Sequence, residues 1–140
     1  MNEKGLVRML DLLPHIQGAL TRPPRIAIKV KGKILFIDPA NVVAVEAQGN
    51  YVLLHRVAGS DFLRESISTV EEKLRPYGFV RIHRSLLINA SFIEEVQPRD
   101  AGDCILRIKG GREFIVSRTY KKNLHSITPL WFGSDRFHAD

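Results

Sequence analysis

Three side chains in this 140-residue sequence have the type and setting to recognise nucleobases. Arg84 lies within His83-Arg84-Ser85 and Arg118 within Ser117-Arg118-Thr119, each beside turn- or cap-forming residues where a long side chain projects. A guanidinium can donate two parallel hydrogen bonds to O6 and N7 of guanine, and a good pair contributes about 1–3 kcal/mol of base discrimination. Asn50 follows Gly49, and its amide can meet adenine in the same two-point manner. Most arginines are exposed whatever their role. Taken singly, these two are better read as solvated surface charges, and only a joint pattern argues otherwise.

The usual signatures of catalysis are missing. There is no phosphate-binding G-x-x-x-x-G-K-[ST] loop, no G-x-G-x-x-G after a strand and no H-E-x-x-H. A G-x-S-x-G nucleophile turn is also absent. The histidines His15, His55, His83, His125 and His138 are scattered, and a single cysteine, Cys104, makes no zinc pattern. Cys104 is expected to be a small buried hydrophobe rather than a redox switch. No enzyme activity, cofactor or metal is therefore expected.

Composition points the same way. The formal charge of +6 and the pI of about 9.8 favour a polyanionic partner. A hydrophobic share of 44% and a charged share of 26% suit one ordinary domain with short flanks. No apolar run approaches the roughly 20 residues of a membrane helix. Arg8, Asp11 and Pro14 interrupt the N-terminal apolar stretch, which makes it a poor signal peptide. A cytoplasmic protein without a membrane partner is expected.

The elements that must carry these side chains are mostly strands. Leu6, Leu10, Leu13, Ile16 and Leu20 have roughly helical spacing, but Pro14 limits them to short turns, and Thr21-Arg22-Pro23-Pro24 is a stiff linker. From Arg25 the period becomes two. Strands are expected at 26–30, 34–37, 42–47 and 51–55, with turns at Lys31-Gly32-Lys33 and Gly49-Asn50. Residues 58–61 are expected to form a loop. Ser68 and Glu71 have capping-box spacing for a helix that Gly78 ends. Further strands are expected at 79–82, 86–88 and 92–96, and Lys109-Gly110-Gly111-Arg112 separates two more in a hairpin. Ser117 is placed to start a last helix through Tyr120, Leu124 and Ile127, after which Leu130-Trp131-Phe132 is expected to pack back on the domain and 133–140 to fray. The result is a mainly β fold: short antiparallel strands in small sheets with one or two short helices.

Three segments then carry a resemblance. They are Val45-Glu46-Ala47-Gln48-Gly49-Asn50-Tyr51-Val52-Leu53-Leu54-His55, Phe79-Val80-Arg81-Ile82-His83-Arg84-Ser85-Leu86-Leu87-Ile88-Asn89 and Val116-Ser117-Arg118-Thr119-Tyr120-Lys121. In this order and separation, they resemble the LytTR family of bacterial DNA-binding domains across about residues 25–127. The resemblance implies a response-regulator-like transcriptional regulator whose loops enter successive major grooves, often on direct repeats in promoters. It implies base contacts from Asn50 or Tyr51, Arg84 and Arg118. His83, Ser85, Ser117, Tyr120, Lys121 and Lys122 would then face the phosphates, which hold a protein in register without reading sequence. His83 is equally well read as a hydrogen-bonded structural residue, and Asn89 as a turn residue.

Binding to repeats would set two copies side by side, as a homodimer or in tandem. Members of the family usually follow a receiver or sensor domain, and the 24 or so residues before the match are too few for a receiver. The expected division is an N-terminal segment over 1–24, a DNA-binding domain over 25–128 and a tail over 129–140. Residues 1–24 are read as a junction to a sensor, a dimer contact or an inert tail. The competing reading is a β-module for a protein or small ligand with an incidental basic surface. A PilZ-like barrel, its most obvious form, would need an arginine pair followed by Asp-x-Ser-x-x-Gly, which is absent.

Overall fold

The computed structural model describes residues 24–133, and within them ten strands form three antiparallel sheets. The turns expected in residues 1–20 and the tail from 134 lie outside the described residues. Strands β1 (Ile26–Val30) and β2 (Lys33–Ile37) form a hairpin. Its two-residue turn, Lys31-Gly32, has φ of 51° and 76°, the left-handed pair that matches the twist of the flanking strands.

The middle sheet has the order β5-β4-β3-β7-β6. Its strands are β3 (Val42–Gln48), β4 (Tyr51–Arg56), β5 (Gly59–Leu63), β6 (Phe79–His83) and β7 (Leu86–Asn89). The third sheet is β10-β9-β8, from β8 (Ile93–Pro98), β9 (Cys104–Ile108) and β10 (Glu113–Val116). Helix α1 (Ile67–Leu74) precedes β6, and the one-turn helix α2 (Arg118–Lys121) follows β10.

The middle sheet is apolar on both faces, so it must be covered twice. On one side Val42, Val45, Val52, Leu54, Phe79 and Leu87 pack with the β1–β2 hairpin and with Ile67, Val70 and Leu74 of α1. On the other, Ala44, Val80, Ile82 and Ile88 meet Cys104, Leu106, Ile108, Val116 and Leu124. Burying Leu87 and Ile88 on opposite faces is worth roughly 1.5–3 kcal/mol each. A register break between Val42 and Ala44 shifts the alternation of β3, so that Val43 and Ala44 both serve the second core.

Four expectations change in detail. The helix is capped by Ser66, whose Oγ accepts from the Thr69 amide at 3.1 Å, and not by Ser68. Starting there sets Ile67, Val70 and Leu74 on one inward face at helical spacing and releases Glu71 to pair with arginines. Residues 59–61 of the expected 58–61 loop lie in β5 instead; Arg56 Nε donates to Asp61 Oδ2 at 2.7 Å and clamps the β4–β5 hairpin. The last helix stops after one turn and tightens into a 3-10 segment over Lys122–Ser126. Beyond it Trp131 is half-buried beside His125, whereas Leu130 and Phe132 are 73% and 93% exposed and do not pack back.

Asn89 is a buried staple between the two ends of the middle sheet's chain. Its Nδ2 donates to the carbonyls of Pro39 (3.2 Å) and Val42 (2.9 Å), and its Oδ1 accepts from the amide and hydroxyl of Ser91 (3.0 and 2.9 Å). Asn89→Ala orphans these groups in the interior and should lower stability by about 1–3 kcal/mol, read as a shifted midpoint in urea unfolding.

Candidate nucleic-acid interface

Strand pairing decides where the predicted contact residues go. β3 ends in the Gly49-Asn50 turn, and β7 begins after the Arg84-Ser85 turn. Because β3 and β7 are antiparallel neighbours, with Glu46 opposite Leu86, both turns leave the same end of the sheet. They are the tips of adjacent hairpins, β3–β4 and β6–β7, about 10 Å apart from the spacing of two strands. The Ala47 amide donates to the Ser85 carbonyl at 2.8 Å and ties one hairpin to the other tip. Gly49 takes the left-handed φ of 61° that the tight turn needs, so Asn50 keeps an ordinary backbone. Asn50 and Arg84 are exposed, and Tyr51 is 44% exposed.

The Arg84 turn is internally braced. His83 Nδ1 accepts from the Ser85 amide at 3.1 Å and lies 2.8 Å from Ser85 Oγ. Beneath it sits Arg81, a residue the sequence reading did not single out. Its Nη1 donates to Glu71 Oε1 of α1 at 2.6 Å, its Nε to the His83 carbonyl at 2.8 Å, and its Nη2 to the Arg84 carbonyl. Glu71 also accepts from Arg75 at 3.0 Å. The available signal was a charged residue between Val80 and Ile82 at a strand position sharing the face of Phe79, where an apolar side chain is the norm.

Arg118 belongs to a different layer. It is exposed at the start of α2, with Nη2 donating to the Ala101 carbonyl at 3.0 Å in the β8–β9 loop. Its guanidinium lies over Gly102, where a Cβ would come within 2.7 Å of Nε. Gly102 was likewise missed, since the need for a bare backbone there arises only from that contact. Helix α2 packs on β6, and in the following 3-10 segment Asn123 Nδ2 donates to the Arg81 carbonyl at 2.9 Å. The Arg118 segment and the Arg84 turn therefore share an anchor on β6.

Ser117 and Lys122 are exposed, and the Ser117 hydroxyl makes no capping bond. Tyr120 is half-buried against the second core. Lys121 is less exposed than expected for a phosphate contact: the residue is only 6% exposed, with its charge near Asp103 and Cys104. Glu46 Oε1 lies 3.1 Å from His55 Nε2. Among the described residues no helix is long and apolar enough to cross a membrane.

The LytTr DNA-binding domain model matches residues 32–128, most of the chain and all of the elements just described except β1. The chain belongs to the LytTr DNA-binding domain family. The family is one of DNA-binding regulator domains and not a class of enzymes. The chain is 26% identical to the sensory transduction protein LytT of Bacillus subtilis (strain 168) over 84% of its length. It is 28% identical to the CO-responsive transcriptional regulator RcoM of Rhodospirillum rubrum over 57%, and 24% identical to the transcriptional regulatory protein LytR of Staphylococcus aureus (strain N315) over 74%. It spans only 48%, 34% and 42% of those three proteins, respectively. A solved LytTr DNA-binding domain from Bacillus cereus shares the fold, with a TM-score of 0.64 at 18% identity over 77% of this chain and 99% of that one. The mainly β architecture expected from the sequence is thus the family's own.

The site also carries a titration signature. Burial alone would raise the Glu71 carboxyl, but hydrogen bonds from Arg75 and Arg81, with their charges, outweigh it and hold the group below its ordinary value of 4.5. A carboxyl depressed in the folded state stabilises fully above its unfolded value, and the gain is lost as pH falls through the folded one. Glu71→Gln should therefore flatten the loss of stability below about pH 4.5, measured by denaturant titration at stepped pH.

Proposed function

We propose that this domain recognises double-stranded DNA in a sequence-specific way as part of a bacterial transcriptional regulator, with the two hairpin tips and α2 addressing successive major grooves. Asn50 or Tyr51 and Arg84 read bases from the tips, and Arg118 reads bases from α2. His83, Ser85, Ser117, Tyr120 and Lys122 hold phosphates. The observation that carries the reading is that two turns 34 positions apart present the exposed side chains of Asn50 and Arg84 at one end of one sheet. The formal charge of +6 supplies the attraction to phosphate that any such contact needs.

The longer relatives, a sensory transduction protein and a transcriptional regulatory protein among them, support a sensor or receiver domain acting with this one. Direct repeats in a promoter would seat two copies, in tandem or as a homodimer, and a cytoplasmic location follows from such a target. Selection of bound duplexes from a random pool at physiological salt tests this reading directly. Recovery of no preferred sequence would favour a protein- or ligand-binding module with an incidental basic surface.

On the selected duplex, Arg84→Ala and Arg118→Ala should each cost about 1–3 kcal/mol of specific binding and much less on scrambled DNA. Lys122→Ala should weaken both alike and reduce the slope of log K against log salt by about 1. Fluorescence anisotropy across a salt series distinguishes the two classes.

A further inference from the structure

We infer that Arg81, held by Glu71, is the positioning residue of the Arg84 turn, and that it sets how selectively the domain reads DNA without touching DNA itself. The inference rests on the DNA-reading role proposed for that turn. Arg81 has a side chain only 11% exposed and spends its guanidinium on three acceptors that lie in different places. One is the Glu71 carboxylate on α1; the other two are consecutive backbone carbonyls, those of His83 and Arg84. A two-residue turn needs no such partner to close, because its strand ladder does that. The two carbonyls belong to the peptide units on either side of the Arg84 Cα, so the guanidinium fixes both peptide planes and hence the direction in which the Arg84 side chain departs.

The fork geometry matters. A guanidinium has rigid, coplanar donors, whereas an ammonium is a point charge that cannot reproduce three fixed directions. Glu71 locks the remaining edge of the guanidinium, and Arg75 on the same carboxylate is 67% exposed and touches nothing in the turn. The carbonyl of Arg81 itself accepts from Asn123, five residues after Arg118, so the same residue ties the tip to the segment that follows α2. A base-reading arginine needs its two donors within a fraction of an ångström of the base edge, and such precision comes from the shell behind the contacting residue.

The test uses Arg81→Lys and Glu71→Gln, with Arg75→Ala as the control that perturbs the same carboxylate but not the turn. Two readouts are taken on the full chain. The first is the ratio of affinities for the selected and a scrambled duplex. Both variants should lower it by about tenfold, the effect of losing a charge-assisted hydrogen bond, with affinity for scrambled DNA and its salt slope unchanged. Arg75→Ala should leave the ratio within about twofold.

The second readout is amide hydrogen exchange without DNA. The Ser85 and Ala47 amides, which report the turn through their bonds to His83 Nδ1 and the Ser85 carbonyl, should exchange faster, while Leu54 in the core stays protected. Exchange that rises uniformly, Leu54 included, would make Arg81 a general stabiliser and overturn the inference. So would a local rise with selectivity intact, or wild-type behaviour in both readouts. If the unmodified protein prefers no duplex, the DNA-reading role fails by itself, and local exchange still decides whether Arg81 positions the turn.

Discussion

Everything that sits at the end of the middle sheet depends on the antiparallel pairing of β3 with β7. That pairing joins two hairpins whose turns are far apart in the chain and places both tips on one side. It is enforced from above and below. Leu87 of β7 and Val45 of β3 face one core, and Ile88 and Ala44 face the other. A one-residue slip of β6 would carry Arg81 toward the second core and Ile82 away from it, so register is held by the cost of exposing apolar surface and burying a charge. The exposed tips need little stability of their own, because the buried halves of the same hairpins supply it.

The surroundings of the tips show how polar groups are used where burial gives way to solvent. Asn89, at the buried end of β7, satisfies two carbonyls and caps the turn that follows. At the other end of the β6–β7 hairpin, Arg81 closes an ion pair with α1 and binds two carbonyls of the turn. Each residue donates side-chain hydrogen bonds to two backbone carbonyls. Each adds directed hydrogen bonds to the packing around it, where apolar contact fixes distance but not direction. Gly102 achieves a similar end by absence: with no Cβ, the β8–β9 loop lets the Arg118 guanidinium lie flat on its backbone.

Much of this was legible in the residues. Period-two alternation located nearly every strand, because one side chain in two must meet a core. Glycine placement located the hairpins at Gly32, Gly49 and Gly110-Gly111, each of which takes a positive φ. The misreadings have local causes. Ser68 and Glu71 have the right spacing for a cap, but Ser66 starts the helix so that Ile67 is buried. Ser60 and Asp61 look like loop residues, yet an ion pair from Arg56 holds them in an edge strand. Lys121 looks like a surface cation, yet on the short helix it is only 6% exposed, with its charge near Asp103.

The sequence by itself determined the class of fold and the family and nominated side chains for bases and phosphates, since these rest on residue type, alternation and short-range spacing. The tertiary structure alone decided which of those side chains meet. Whether Asn50 and Arg84 share an end depends on a pairing between strands nearly forty residues apart. The roles of Arg81, Glu71, Asn123 and Gly102 depend on contacts between layers. Such contacts are set by the closing of two cores around one sheet, and no window of local sequence contains them.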